Sequence, residues 1–160
     1  MGVKILNVSE NDAQFLNVLM NDKNILDTLK EVPTKIDDWI DAISVWKGDP
    51  DEEDYIIFDE KTPIGWLGIN GLSSEDKTAY IKMIALLPQF QNKGIGSYVV
   101  NQCVDGLKSR KFKKIILYTD KSNLRAQKCY EKCGFKVTDE FTEKMSNGDI
   151  VERCKMEIHY

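Results

Sequence analysis

One stretch of this sequence, residues 81–110, constrains the fold more than any other. Residues 81–87 form an apolar run interrupted only by Lys82, which predicts a mostly buried strand. Pro88 cannot continue a sheet ladder, so we expect the strand to end there. After a loop that holds two glycines, apolar residues recur at helical spacing up to about Arg110. The stretch therefore predicts a strand, a tight loop and a helix in succession.

The loop of that unit predicts an anion site. The first N–H groups of a helix have no partner within the helix and lie at the positive end of its dipole, which suits a phosphate group. A Walker loop would need a lysine between Gly96 and Ser97, and a dinucleotide fingerprint would need glycine where Val99 stands. Both classes of nucleotide loop are excluded. A phosphate loop of another kind, or a junction that merely needs glycine, remains.

The rest of the chain predicts a single mixed α/β domain over residues 1–160. Strands are expected at 3–8, 55–58, 64–70, 78–87, 113–119, 135–137 and 150–158, and helices after Ser9, after Thr34, from the glycine loop to about 110 and over 124–132. Residues 21–31 are ambiguous between a helix and a connection. A strand–helix–strand crossover makes the strands at 78–87 and 113–119 parallel. The sheet is thus expected to be mixed, mostly antiparallel and flanked by helices.

Composition and charge exclude several functions. No apolar run approaches the length of a membrane span and the N-terminus lacks the core of a signal peptide, so we expect a cytoplasmic protein with no membrane partner. The first 80 residues carry a net charge of −10 and the last 80 a net charge of +6. The overall charge of −4 argues against nucleic acid as a partner. The four cysteines fit no zinc spacing and are expected to be reduced packing residues, and His159 is a poor base, so no metal is expected.

A second motif follows the next strand and supports a family resemblance. Asn123, Ala126, Tyr130, Gly134 and Phe135 fall in the pattern Asn-x-x-Ala-x-x-x-Tyr-x-x-x-Gly-Phe. Together with the pattern Gln-x-x-Gly-x-Gly at 91–96, this resembles the GNAT superfamily of N-acetyltransferases. The resemblance spans about residues 55–158, with both motifs in order.

The resemblance implies acetyl-coenzyme A as the acetyl donor and assigns its contacts. The pyrophosphate would be surrounded by the backbone N–H groups of Gln91, Asn92, Lys93, Gly94, Ile95, Gly96 and Ser97. The pantetheine arm would pair like an added strand with the backbone of Ile84, Ala85 and Leu86, and Leu86 N–H would polarise the thioester carbonyl. Asn123 would bind the pantetheine or cap its helix, and Tyr130 would protonate the leaving thiolate as general acid.

The acceptor and the base are less constrained. Carboxylates and aromatic side chains suit a small cationic amine such as an aminoglycoside, a polyamine or an amino-acid-like compound. The candidates in the acidic half are the carboxylates Glu31, Asp37 and Asp38, the aromatic residues Trp39 and Trp66, and the amide Asn70. A solvated acidic surface explains the same residues.

The base of the reaction has no candidate on the central strand. That strand offers only Tyr80 and Lys82, and Glu75 or Asp76 would have to act through water, so no base is assigned. A peptide acceptor and a non-catalytic coenzyme A-binding module are the alternative functions. A homodimer is compatible with either.

Overall fold

The computed structural model describes residues 2–160 as seven strands and five helices around one sheet. The strands are β1 (Val3–Asn7), β2 (Glu53–Asp59), β3 (Thr62–Asn70), β4 (Thr78–Leu86), β5 (Lys114–Asp120), β6 (Lys136–Lys144) and β7 (Ile150–His159). The helices are α1 (Ala13–Met20), α2 (Lys23–Leu29), α3 (Ile36–Lys47), α4 (Ile95–Ser109) and α5 (Leu124–Lys132). Short 3₁₀ turns precede α1 and follow β4.

The sheet has the order β1-β2-β3-β4-β5-β7-β6, and every neighbouring pair except β4 and β5 is antiparallel. The predicted α/β class, the mixed sheet and its parallel pair are confirmed. The parallel pair arises because α4 carries the chain from the end of β4 back to the start of β5.

The β4–β5 ladder is short and the two strands separate beyond it. Pairing is limited to Thr78 with Lys114, Ala79 with Ile115 and Tyr80 with Ile116. Just after these pairs, the register of β4 against β3 shifts, so that Lys82 is the extra residue of a β-bulge. A bulge bends its strand, and from this point the edge of β4 that faces β5 has no strand partner among the described residues.

Two apolar cores lie against the sheet. The larger contains the buried face of α4, with Val99 and Leu107, and extends to Phe135. The smaller packs α1, α2 and α3 against β2 and β3, with Leu16 and Ile43 at its centre. The four cysteines are free thiols, and all but the half-buried Cys129 are buried.

Two predictions about the elements needed correction or completion. The ambiguous segment 21–31 contains α2, which Asp22 begins by accepting a hydrogen bond from the Ile25 N–H at 3.2 Å. The strand expected at 135–137 is wrong in length, because β6 runs to Lys144 along the whole of β7. Nearly all residues of β6 are exposed, so it lacks the apolar alternation that marks a half-buried strand.

Candidate active site

The gap between β4 and β5 exposes backbone groups of β4. Leu87 N–H bonds the carbonyl of Ile64 on β3 at 2.9 Å. Successive residues of a strand direct their polar backbone groups to opposite edges, so the groups of Leu86 and Ile84 face the gap. Ala85, between them, directs its carbonyl toward β3, where it would clash with a Cβ on Gly65. Of the three residues predicted to pair with the pantetheine arm, two present backbone groups to the gap.

The glycine loop after β4 has the backbone of an anion-binding turn. Asn92 and Gly94 both have left-handed backbones, with φ of 62° and 81°, and Gly94 is the N-cap of α4. The first intrahelical bond runs from Tyr98 N–H to the Gly94 carbonyl, so the N–H groups of Ile95, Gly96 and Ser97 precede it. Such a run of unpaired N–H groups forms a concave site for an anion.

The space above this loop is open. Among the described residues, a Cβ on Gly94 would have no neighbour within 4 Å, and a Cβ on Gly96 would have only the Cys129 thiol at 3.9 Å. A cavity of about 580 Å³ extends from the loop along α5 to Ile84 and Leu86. The loop therefore fits a bound pyrophosphate, and the cavity continues from it to the unpaired edge of β4.

Side chains fix the loop to the elements on either side. Gln91 Nε2 donates to the Leu86 carbonyl at 2.9 Å. The guanidinium of Arg125 on α5 donates to Asn92 Oδ1 at 3.0 Å and to Gln91 Oε1 at 3.4 Å. Lys93 lies over the Phe90 ring with its Nζ 5.8 Å from the centroid. The side chain of Gln91 thus ties the loop to the end of β4. Arg125, which was not predicted from the sequence, adds a positive charge beside the loop.

Tyr130 lies where two cavities meet. It is on α5, whose N-cap Asn123 accepts a hydrogen bond from Ala126 N–H at 3.1 Å. Tyr130 lines both the cavity above the glycine loop and a second one between β4 and β5. Burial, the largest cause, raises the pKa of Tyr130, and Arg153 opposes that shift. The phenol therefore keeps its proton at neutral pH, and its hydroxyl makes no hydrogen bond to any residue of 2–160.

The second cavity lies between β4 and β5 beside Tyr130, and we call it the acceptor cavity. It measures about 240 Å³ and its walls come from α2, β4, β5, α5 and the β6–β7 hairpin. Its charged lining residues are Glu31, Lys82, Asp120, Arg125 and Arg153. The turn of the hairpin contributes Met145 to the lining, and Asn147 N–H joins this turn to the end of α2 by bonding the Lys30 carbonyl at 3.0 Å.

The residues predicted to bind the acceptor are only partly brought together. Glu31 lines the acceptor cavity and Asn70 lines an adjoining one that shares Lys82 and Arg153 with it. Trp39 and Trp66 differ from the expectation, because both are buried in the smaller core with their rings 5.4 Å apart. These two tryptophans therefore stabilise the fold and do not line the acceptor cavity.

The remaining acidic candidates lie at the start of α3. Asp38 Oδ2 accepts a hydrogen bond from the Lys35 N–H at 2.8 Å, which closes the first turn of that helix. Asp37 is an exposed residue of the same turn. Neither lines the acceptor cavity.

The bulge residue Lys82 forms ion pairs with two carboxylates that are largely shielded from solvent. It pairs with Glu52 and with Asp54, whose Oδ1 lies 3.3 Å from Lys82 Nζ, and it stacks over the Trp46 ring at 4.5 Å. Asp54 Oδ1 also accepts from Trp66 Nε1 at 2.8 Å. Burial lowers the pKa of Lys82 to about 8, against the opposing charge of Asp49. Burial also raises the pKa of Asp54 to about 7, against the opposing hydrogen bond from Trp66. This cluster anchors the bulge to β2.

Comparison with known proteins decides the family. Residues 17–135 match the acetyltransferase (GNAT) family. The chain belongs to that family. As a GNAT protein it is an N-acetyltransferase whose acetyl donor is acetyl-coenzyme A, as the two motifs predicted. By sequence alone, no curated protein matches the chain.

Solved structures confirm the GNAT fold over the whole chain. The spermidine N-acetyltransferase from Vibrio cholerae in complex with CoA and spermine has a TM-score of 0.89 at 23% identity, covering 99% of this chain and 95% of that one. A chimera of SpeG from Vibrio cholerae and hSSAT has a TM-score of 0.89 at 22% identity, covering 99% and 96%. The dodecameric spermidine N-acetyltransferase from Vibrio cholerae in an intermediate state has a TM-score of 0.83 at 21% identity, covering 99% and 94%.

Two further observations concern residues 2–160 only. None of their helices is long and apolar enough to cross a membrane. They contain no group of three or more His, Cys, Asp or Glu side chains that could hold a metal ion.

Proposed function

We propose that this GNAT protein acetylates a primary amine of a small polycationic acceptor of the polyamine class. The observation that carries the proposal is the acceptor cavity with Glu31 and Asp120 in its walls, which meets the cofactor cavity at Tyr130. Ammonium groups are attracted by carboxylates in a partly desolvated cavity. The structural neighbours named as spermidine N-acetyltransferases, one of them in complex with spermine, support the same class.

The residues of β4 would position the donor, which supplies an acetyl thioester when bound. The N–H groups around Gly94 and Gly96 would bind the pyrophosphate, and Arg125 would add charge beside it. The backbone of Ile84 and Leu86 would bind the pantetheine amides as a neighbouring strand would. Leu86 N–H would stabilise the negative charge that develops on the acetyl oxygen.

Tyr130 would act as general acid. Tyr130 lines both cavities, so its hydroxyl would lie between the donor and the acceptor. Because burial raises its pKa, the phenol would be fully protonated when a thiolate leaves, and it can donate that proton. Lys93 and Asn123 would also contact the cofactor, and Asn123 would do so while it caps α5.

A peptide acceptor is the second candidate. An open groove would favour a peptide, whereas this cavity of about 240 Å³ is lined by residues of α2, β4, β5, α5 and the β6–β7 hairpin. The small volume and the walls from five elements support a small acceptor. Assembly into a homodimer, a cytoplasmic location and the absence of nucleic acid or membrane partners remain predictions from the sequence.

An acceptor screen tests the proposal. Purified protein is given acetyl-coenzyme A and one acceptor at a time, and free thiol is recorded together with the mass of the product. The panel holds spermidine, spermine, putrescine, an aminoglycoside, lysine and a peptide with a free N-terminus. Turnover that is highest with the polyamines is expected. Preference for the peptide would replace the acceptor class, and coenzyme A binding without turnover of any amine would reject the proposal.

A further inference from the structure

We infer that Asp120 is the group that takes the proton from the acceptor's ammonium before the amine attacks. The inference rests on the proposed acetylation of an amine. A protonated amine has no lone pair for attack, so a base must lie in the acceptor cavity. The central strand carries Tyr80 and Lys82 but no carboxylate, and Lys82 is already paired with Glu52 and Asp54.

The register of the parallel pair places Asp120 on the part of β5 that lies beyond its last pair with β4. Tyr80 on β4 pairs with Ile116 on β5. Four residues further along the two strands lie Ile84 and Asp120, and the extra residue Lys82 of the β-bulge shortens the advance of β4 between Tyr80 and Ile84. The strands have separated by then, and both residues line the acceptor cavity. Asp120 thus lies on the β5 wall opposite the segment of β4 that leads to Leu86.

One oxygen of Asp120 is fixed and the other is free. The Asp120 residue is only 8% exposed, and its Oδ1 accepts from Arg153 Nη1 at 2.7 Å. Within residues 2–160, Oδ2 has no hydrogen-bond partner and is not among the fully enclosed unpaired atoms. Arg153 therefore orients the carboxylate through one oxygen and leaves the second available to a ligand in the cavity.

Other carboxylates are placed less well. Asp76 Oδ1 accepts from Thr78 N–H at 3.1 Å, and neither Asp76 nor Glu75 lines the cavity. Glu31 follows the C-terminal end of α2 at the wall across from the strands. The titratable or charged side chains that line the cavity with Asp120 are Glu31, Lys82, Tyr118, Arg125, Tyr130 and Arg153. Of the two carboxylates among them, Asp120 is the one on a strand of the gap.

The protons balance between Asp120 and Tyr130. The ammonium gives one proton to Asp120, which passes it to water. The amine nitrogen then forms a bond to the acetyl carbon as the carbon–sulfur bond breaks, and the sulfur takes a proton from Tyr130. The nitrogen loses a second proton to the solvent. Water then returns a proton to the Tyr130 oxygen, which restores the hydroxyl. The products are the N-acetylated amine, coenzyme A and one proton released.

The test compares Asp120→Asn with Glu143→Gln. Both remove a carboxylate beside Arg153, since Glu143 Oε2 lies 3.3 Å from Arg153 Nε, but only Asp120 lines the acceptor cavity. With spermidine, Asp120→Asn should lose about 10²- to 10⁴-fold in kcat, the usual contribution of a general base. Glu143→Gln should stay near the wild-type rate. Thermal denaturation and coenzyme A titration establish that each variant folds and binds the donor.

Two acceptors of equal size separate proton removal from binding. Ethylamine is protonated at neutral pH and methoxyamine is not, so only ethylamine needs a base. Asp120→Asn should lose activity with ethylamine and keep it to within roughly threefold with methoxyamine. With spermidine, the rate of the variant should also rise about tenfold per pH unit, following the unprotonated acceptor, while the wild-type curve is flatter.

Three results are distinguishable. Equal loss with both small amines, together with a wild-type pH profile for spermidine, would overturn the role of Asp120 as base. Full activity of Asp120→Asn with spermidine would overturn it as well. A wild-type protein that binds coenzyme A but acetylates no amine would instead reject the proposed function.

Discussion

Three glycine substitutions separate backbone strain in the glycine loop from obstruction of its ligand. Gly94→Ala adds a Cβ at a residue with φ of 81°, and Gly148→Ala does the same in the β6–β7 turn at a φ of 93°. Neither Cβ would have a described neighbour within 4 Å, so the cost is conformational, about 1–2 kcal/mol in each case. For a chain of this size, that lowers Tm by about 2–4 °C per kcal/mol.

The same substitutions should differ in coenzyme A binding. A methyl group at Gly94 or Gly96 enters the space where the phosphates approach the N–H groups. Losing one charge-assisted hydrogen bond costs about 1.5–3 kcal/mol, which is roughly a 10- to 100-fold weaker Kd. Gly96 has no positive φ, so Gly96→Ala should weaken binding with little loss of stability. Gly148→Ala should lower Tm and leave the Kd unchanged.

Isothermal titration with coenzyme A gives the Kd, and denaturation without ligand gives Tm. The reasoning is refuted if Gly96→Ala binds coenzyme A as tightly as the wild type. It is also refuted if Gly148→Ala weakens binding as much as Gly94→Ala, because a general loss of stability would then explain both.

Three further predictions concern single side chains. Tyr130→Phe should lower kcat by about 10²- to 10⁴-fold with the Kd for coenzyme A nearly unchanged, and thiol release at saturating donor measures this. Because burial raises the pKa of Tyr130, wild-type kcat should show no loss from this group up to about pH 9.5. Asn123→Ala removes the cap of α5 and should cost about 1 kcal/mol, whereas Asn123→Asp should keep it, as urea denaturation can determine. The raised pKa of Asp54, about 7, means that the folded state holds a proton that the unfolded state lacks between about pH 4 and 7, so stability falls as pH rises through that window. Asp54→Asn should flatten this slope in Tm measured from pH 4 to 8, and an unchanged slope would contradict the assignment.

Local backbone chemistry made the two motifs predictable from the sequence. Pro88 ends β4 and Gly94 begins α4 in a left-handed conformation, and both effects act within a few residues. The Asn123 cap likewise depends only on the N–H three residues later. These constraints locate the loop, α5 and Tyr130 without knowledge of the rest of the fold.

Features that depend on strand register could not be predicted in this way. Asp120 meets Arg153 only because β7 lies antiparallel to β5 with these two residues paired. Trp39 and Trp66 were predicted to contact the acceptor, because an aromatic residue is as common in a binding site as in a core. In the structure both are buried in the smaller core, which they share with residues of α1 and α3. Strand β6 was too short in the prediction because its two faces are both polar.

The three-pair ladder between β4 and β5 has a mechanical consequence. The sheet consists of a four-stranded part, β1 to β4, and a three-stranded part, β5 to β7. The ladder that joins the two parts is the shortest in the sheet. A pantetheine arm bound along β4 would fill the gap between β4 and β5 beyond the last of these pairs and restrict the relative motion of the two parts. We therefore expect donor binding to slow amide exchange on both sides of the divide, in β4 and in β5, more than in the distant strand β1.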